Sequence, residues 1–510
     1  MKLQFLDTIV FFGLIVLNIL FGASFFLRNR TTDQFTTGGQ KLPSWTVGMS
    51  IFATFVSSIS FLALPGKAYS SNWNAFVFSL SIPAASWLAV KFFVPLYRNI
   101  GSVSAYYYLE KRFGRWAGTY ASACYILTQL MRTGAILMLL ALPLNALFGW
   151  NIKTIIILTG IGVTLYSMLG GIQGVIWTDA IQGIILIAGA LTAALYITFS
   201  MPEGPGQIIE IASASDKFSL GSFGTSLSES TFWVVLIYGL FINVQNYGID
   251  QNYIQRYLSA RTEKEAKKSA LFGSLIYIPV SMVFFYIGTA LFAFYSAQPD
   301  LLPEELRLAG SGDKIFPYFI VAELPTGITG LLIAAIFSAG MSTVSTSLNS
   351  TATIVLTDYY KKYFNKDASE KRSMNVLYIS SLLTGMAGVV IALMLAGVES
   401  ALDAWWSLAS IFSGGMLGLF LLGFISKTVR KTDAVAGVIA GVIVIIWMSL
   451  SPFLLEDGKF SGLRSTFHSN LTIVFGTTTI FLTGFLLNRF ISSIQKTNKM
   501  KPTWIKRINT

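Results

Sequence analysis

Thiols, imidazoles and charges are the groups this chain nearly does without, and each scarcity removes a class of chemistry. Cys124 is the only cysteine in 510 residues and His468 the only histidine. One thiol cannot close an intrachain disulfide, and its place in an apolar run leaves the redox compartment unread. A lone imidazole provides no His-Glu-x-x-His pair and no Cys-His metal spacing, and no glycine-rich loop ends in Lys-Ser or Lys-Thr. Metalloprotease and nucleotide-driven pump chemistry are therefore left without their residues. A membrane-embedded enzyme likewise lacks a nucleophile with a base. Charged residues make up only 12% of the chain, about half the roughly 25% usual in soluble domains.

What the chain has instead is apolar length. It is 54% hydrophobic with a mean hydropathy of +0.64. Apolar runs recur from Ile9–Phe26 to Thr472–Leu487, about thirteen of them, each near the roughly 20 residues that a spanning helix needs. Alternation with polar lumen positions is missing, which argues against a barrel. The first run has no basic segment before it and no small-residue cleavage site after it, so it reads as a retained helix. The fold class expected is all-α integral membrane.

The cations sort by side. Arg28, Arg30 and Lys41, then Arg98, Lys111, Arg112 and Arg115, then Arg256, Arg261, Lys264, Lys267 and Lys268, and later basic clusters to the tail, fall in loops assigned to one face. The other face keeps few, among them Lys2, Lys67, Lys153 and Lys217. By the positive-inside rule the amino end is outside and the carboxyl end cytoplasmic, in a multi-pass protein of the cell (inner or plasma) membrane. The net charge of +12 thus expresses topology, with lipid as the partner and not nucleic acid; no obligate protein partner is implied.

One span is chemically out of place. Ser338 to Ser350 reads Ser-Ala-Gly-Met-Ser-Thr-Val-Ser-Thr-Ser-Leu-Asn-Ser inside a run otherwise apolar enough to cross a bilayer. At helical spacing Ser338, Ser342, Ser345 and Asn349 share a face, with Thr346 and Ser350 beside them. Such a stripe serves either close helix packing through small residues or a hard cation, which takes hydroxyl and carbonyl oxygen.

Two other spans are interrupted. Trp45–Leu64 carries Ser57, Ser58 and Ser60, where the backbone can unwind and expose the Ala53 and Val56 carbonyls to an ion; a serine-rich packing face is the alternative. The span from Phe232 carries Asn243, Gln245, Asn246, Gly248 and Asp250, five spans later. Paired broken helices at matching positions point to an inverted-repeat transporter with a midplane site. The expected plan is one membrane transport domain over residues 1–510: a peripheral helix at 8–27, repeats at 45–200 and 232–425, two peripheral helices at 433–492 and a cytoplasmic tail at 493–510.

Two charges lie within spans. Arg132 costs roughly 2.5 to 3.5 kcal/mol in mid-helix on insertion scales, so it needs a partner. That partner is either an internal carboxylate, Asp179 or Asp250, or the carboxylate of a substrate held by the guanidinium fork. Asp179, in Gly170-Gly-Ile-Gln-Gly-Val-Ile-Trp-Thr-Asp, is a cation ligand or a helix-end cap.

Four segments in register, Ala53–Phe61, Gly170–Asp179, Asp250-Gln-Asn-Tyr-Ile-Gln-Arg-Tyr-Leu and Ser342–Asn349, resemble the sodium:solute symporter family. The resemblance implies a LeuT-type five-plus-five inverted repeat of about thirteen transmembrane helices, alternating access and sodium-driven uptake. It maps a first sodium (Na+) onto the Ala53, Val56 and Ala339 carbonyls with the Ser342 and Thr343 hydroxyls. A second would use Asp179 with Ser342, Ser345 and Thr346.

Within the family, the residues resemble the bacterial sialic acid transporter branch. Arg132 falls at its carboxylate-binding arginine, and Ser57 and Ser60 at hydroxyl positions that contact the sugar acid. Phe55 replaces a threonine and Ser79 a glutamine, removing a hydrogen-bond donor and shortening a reach. The small-molecule substrate implied is a sugar acid such as sialic acid. A small monocarboxylate is an alternative, and so is a neutral sugar, since Tyr253 matches the tyrosine that closes over glucose in another branch. A channel would need a continuous polar path, whereas the charges here are single and offset.

Overall fold

The computed structural model describes residues 5–27, 31–308, 311–396, 415–454 and 461–499. Among them the chain is helical, with one isolated bridge, Leu42 to Ala260, as the only β-type pairing. In chain order the helices are α1 (Phe5–Ser24), α2 (Thr32–Thr37), α3 (Ser44–Phe55), α4 (Ser58–Ser70), α5 (Trp73–Asn99), α6 (Tyr107–Phe113), α7 (Arg115–Phe148), α8 (Ile152–Phe199) and α9 (Gly206–Ala214). They continue as α10 (Phe232–Ile249), α11 (Gln251–Ser259), α12 (Glu263–Ala297), α13 (Gly312–Ala322), α14 (Ile328–Ile354), α15 (Glu370–Leu395), α16 (Met416–Ile425), α17 (Lys431–Leu454) and α18 (Leu471–Lys499).

Ten helices among the described residues are long and apolar enough to cross a membrane, eleven if α3 and α4 form one bent span. Among the described residues the expected runs do not each form a separate helix. α8 absorbs two of them in 48 residues, roughly 72 Å at helical rise, more than twice the ~30 Å hydrocarbon core. It is interrupted at Gly171, whose φ of 54° and ψ of −163° only glycine adopts readily. The run between α15 and α16 lies largely outside the described residues. α18 continues to Lys499, so the first residues of the expected tail are helical.

Both breaks fall where polar residues interrupt an apolar run, and at each a side chain caps the helix that follows. α3 ends at Val56 in extended conformation (φ −81°, ψ 113°), and the Ser57 hydroxyl accepts the Ser60 N–H at 3.4 Å. The two halves meet at a bend of 54°. α10 ends at Asp250 (φ −79°, ψ 125°), whose carboxylate accepts the Asn252 N–H at 2.8 Å. An N-terminal cap of this kind satisfies a donor that hydrocarbon could not.

The chain forms two compact units: Met1–Ala105 with Tyr125–Leu408, and Tyr106–Cys124 with Ala409–Thr510. In the first, α14 is the axis, buried along nearly all of its length. Its amino end is held by α1, where the buried Asp7 carboxylate accepts the Gly327 and Gly330 N–H groups at 2.7 and 2.9 Å. In the second, Arg112 donates to the Ser426 and Val429 carbonyls at 2.7 and 3.1 Å. Asp433 there pairs with Arg430 at 2.8 Å.

Candidate functional site

A buried helix that carries hydroxyls must satisfy them internally, and α14 does so by turning them back on its own carbonyls. Ser342 donates toward the Ala339 carbonyl at 2.9 Å, Thr343 to the same carbonyl at 3.1 Å, and Ser345 to the Ser342 carbonyl at 3.0 Å. Ser342 also faces a second acceptor, the Ala53 carbonyl on α3, at 3.0 Å. A hydroxyl owns one proton, so it serves one of these carbonyls at a time and turns a lone pair to the other. The result is a knot of oxygen with more acceptors than donors, drawn from α3 and α14 and free of formal charge. Val56 stands in the unwound turn beside it. The Ser60 N–H that a continuous helix would aim at the Val56 carbonyl goes to the Ser57 hydroxyl instead.

One turn further along α14 the chemistry becomes ionic. Asp179 is fully buried, and its Oδ2 accepts from Ser50 Oγ at 2.6 Å and Arg256 Nη2 at 2.7 Å. The Arg256 guanidinium also donates to Thr346 Oγ1 at 2.6 Å, Ser50 Oγ at 2.7 Å and the Asn252 carbonyl at 2.6 Å. Asp179 Oδ1 has no hydrogen-bond partner among the described residues. Ser345 lies alongside, its carbonyl accepting from Ser167 at 3.0 Å.

This corrects the charge sorting. Arg256 is 1% exposed, not a loop cation. It belongs to α11, all nine residues of which are buried. A signal was available: Gln251, Asn252, Gln255 and Arg256 recur at helical spacing directly after a span, a polar stripe that a solvated loop does not need.

Arg132 is half-buried, with Nη2 donating to the Thr54 carbonyl at 3.3 Å. Asp179, one of its two expected partners, is held by Arg256 instead. Asp250, the other, caps α11 and forms no ion pair with Arg132 within 4 Å among the described residues. Asp250 faces Arg132 electrostatically without a direct ion pair.

Phe55, the last residue of α3 before the break, enters a cage of rings. It stacks on Tyr247 at 5.4 Å and meets Tyr277 at 4.5 Å edge to face, with Phe78 at 6.4 Å and Tyr253 at 6.5 Å. Tyr253 is buried and packs on Tyr247 at 5.3 Å. Ser57 is buried as the cap of α4, Ser60 is half-buried, and Ser79 pairs with Ser281 at 3.0 Å. The sequence reading missed Tyr247 and Tyr277, and named Asn243 only as a polar residue of the interrupted span. Asn243 donates to Ser81 at 2.9 Å, while its Oδ1 and the Tyr247 hydroxyl are buried without a partner among the described residues.

Residues 35–441 match the family model described as the sodium:solute symporter family. The chain is 35% identical over 445 residues to the sodium/sialic acid symporter SiaT of Proteus mirabilis, covering 87% of this chain and 89% of that one. It is 33% identical to the sodium/sialic acid symporter NanT of Aliivibrio fischeri, with 84% of each covered. It is 30% identical to the mouse sodium-coupled monocarboxylate transporter 2, over 88% of this chain and 72% of that one. The structure of a substrate-bound, outward-open Na+-coupled sialic acid symporter superposes with a TM-score of 0.88 at 31% identity, covering 96% of this chain and 98% of that one. A nucleobase-cation-symport-1 transporter, at 14% identity and a TM-score of 0.57, shares the fold.

Proposed function

The chain belongs to the sodium:solute symporter family, and from that premise we propose that it imports a sugar acid such as sialic acid with sodium by alternating access. It is a symporter and not an enzyme. The observation that carries the mechanism is the Ser342 hydroxyl facing the Ala53 carbonyl of α3 and the Ala339 carbonyl of α14. A sodium ion there, held by the Ala53, Val56 and Ala339 carbonyls with Ser342 and Thr343, joins the broken helix to α14 and favours the state in which the substrate pocket is formed. By linkage, substrate then tightens sodium by the same factor. The orphan Asp179 Oδ1, with Ser342, Ser345 and Thr346, supplies a second sodium site.

Arg132 clamps the substrate carboxylate, Ser57 and Ser60 meet its hydroxyls, and Ser79, Phe55 and Tyr253 shape the remainder. The architecture we assign is the five-plus-five inverted repeat over 45–200 and 232–425. Thirteen passes result if α8 crosses twice and α16 belongs to one of its own. The amino end is outside and the carboxyl end cytoplasmic, in the cell membrane.

A second reading, a small monocarboxylate, draws on Phe55. Its ring cage fills space that a smaller side chain would leave to substrate, and the Ser79–Ser281 pair keeps Ser79 occupied. Uptake of labelled acids into proteoliposomes, with and without an inward sodium gradient, tests both readings. Accumulation of a sugar acid above its external concentration, lost in Arg132→Gln, is expected. Gradient-driven uptake of small monocarboxylates alone would favour the second reading, and equilibration without accumulation would overturn both.

A further inference from the structure

The oxygen stripe of α14 does not stop at the two clusters above. Ser342, Thr346, Asn349 and Thr353 fall at i, i+4, i+7 and i+11, so one face continues toward the carboxyl end of the helix. At its far end three oxygens from two elements converge on a single amide nitrogen. Gln255 Nε2, on α11, donates to the Thr36 carbonyl at 2.7 Å, Asn349 Oδ1 at 2.8 Å and Thr353 Oγ1 at 3.0 Å. The carbonyl comes from α2 and the side-chain oxygens from α14. Thr36, Gln255, Asn349 and Thr353 are all buried to within 4% exposure.

The arrangement is under-satisfied in an instructive way. An amide nitrogen carries two protons and here faces three acceptors. The Thr36 carbonyl can only accept, which fixes Nε2 toward it. That orientation leaves Gln255 Oε1 and Asn349 Nδ2 buried without partners among the described residues, a state that costs the desolvation of each group. A half-turn of the Gln255 amide would bring Oε1 in among three oxygens. Of these only the Thr353 hydroxyl has a proton to offer it, and that proton goes to the Asn349 carbonyl at 2.9 Å; a set so rich in acceptors favours a positive charge, and with no acidic residue in it a monovalent cation suits it.

We propose that the Thr36 carbonyl, Asn349 Oδ1, Thr353 Oγ1 and Gln255 Oε1 form a transient sodium site, roughly 15 Å along α14 from the Thr343 cluster, through which the ion leaves. With Nε2 inward, Gln255 ties the three oxygens together and the exit is closed; with Oε1 turned to them, it becomes the last ligand. α11 carries both this gate and Arg256, so a shift of that one helix alters the ionic cluster and the exit together. The inference rests on the sodium-coupled reading and adds a release site to it.

The test uses right-side-out membrane vesicles loaded with increasing sodium, reading the internal concentration that half-inhibits uptake and the external concentration that half-saturates it. Thr353→Val keeps shape and removes one oxygen, so it should raise the internal constant roughly fivefold, the size of one lost polar contact. Thr353→Ser should behave as wild type. Asn349→Asp, which adds a negative charge, should lower the internal constant. The external constant should stay in place in all three. The proposal is overturned if Thr353→Val matches Thr353→Ser on the internal side, or if internal and external constants move by the same factor. A wild-type protein indifferent to external sodium would instead sink the coupling itself.

Discussion

Two oxygen clusters sit one turn apart on α14, and they solve the problem of buried polarity in opposite ways. Around Ser342 the groups are neutral, with two backbone carbonyls within 3.0 Å of the serine oxygen, and acceptors outnumber protons. Around Asp179 the carboxylate is matched by the Arg256 guanidinium, with Ser50 and Thr346 completing the donors and acceptors. On the proposed reading the first cluster is the one that a cation completes. The second is nearly neutral by itself, so an ion at Asp179 Oδ1 must share the carboxylate with Arg256. Under the proposed reading, charge neutrality, more than the number of oxygens, would separate a site that depends on sodium from one that sodium tunes.

That contrast breaks most visibly if the ionic cluster is unbalanced. Arg256→Gln leaves a buried carboxylate uncompensated and should cost about 3–5 kcal/mol of stability. Thermal unfolding in detergent would show the loss, and Asp179→Asn placed on top should recover most of it. If the double variant is no more stable than the single one, the pair does not act as a unit.

A smaller effect is expected at the amino end of α14. Asp7→Ala removes the acceptor for two N–H groups, one buried and one half-buried, and should cost about 1–3 kcal/mol, while Asp7→Asn, which keeps an oxygen there, should cost less. Unfolding temperatures of the two variants check this, and equal losses would mean that Asp7 acts through its charge and not as a cap.

The smallest effect belongs to Ser345, whose hydroxyl turns back onto its own helix. Ser345→Ala should leave sodium affinity within about threefold, one polar contact or less, while flattening the steepness of the sodium dependence. Unchanged steepness in uptake against sodium concentration would remove Ser345 from a second ion site.

Much of this was legible in the sequence because hydrocarbon forbids unsatisfied backbone. Apolar runs therefore announce themselves, and so do the polar interruptions at Ser57 and Asp250 and the hydroxyls of α14. Interactions between distant elements were not legible. Nothing near Asp7 announces that it caps a helix some 320 residues away. Lys217, sorted with the few cations of the outer face, is buried, with its ammonium on the Tyr69 carbonyl and 3.9 Å from the Phe292 ring centre. Arg256 was misplaced for the same reason: it is followed by Arg261, Lys264, Lys267 and Lys268, and charge sorting reads the whole group as one loop. Phe55 was identified as standing where the related branch has a threonine, but its ring partners come from α5, α10, α11 and α12, which no local pattern joins.

The claim on which the coupling stands is that Ser342 holds sodium between α3 and α14. Its most direct measurement is the stabilisation of purified protein by sodium against potassium, followed as unfolding temperature over a range of salt concentration, since a ligand stabilises the state that it binds. Sodium should stabilise the wild type where equal potassium does not, and Ser342→Ala should move that response to roughly tenfold higher sodium. An identical sodium response in Ser342→Ala, or equal stabilisation by both ions, would contradict the account.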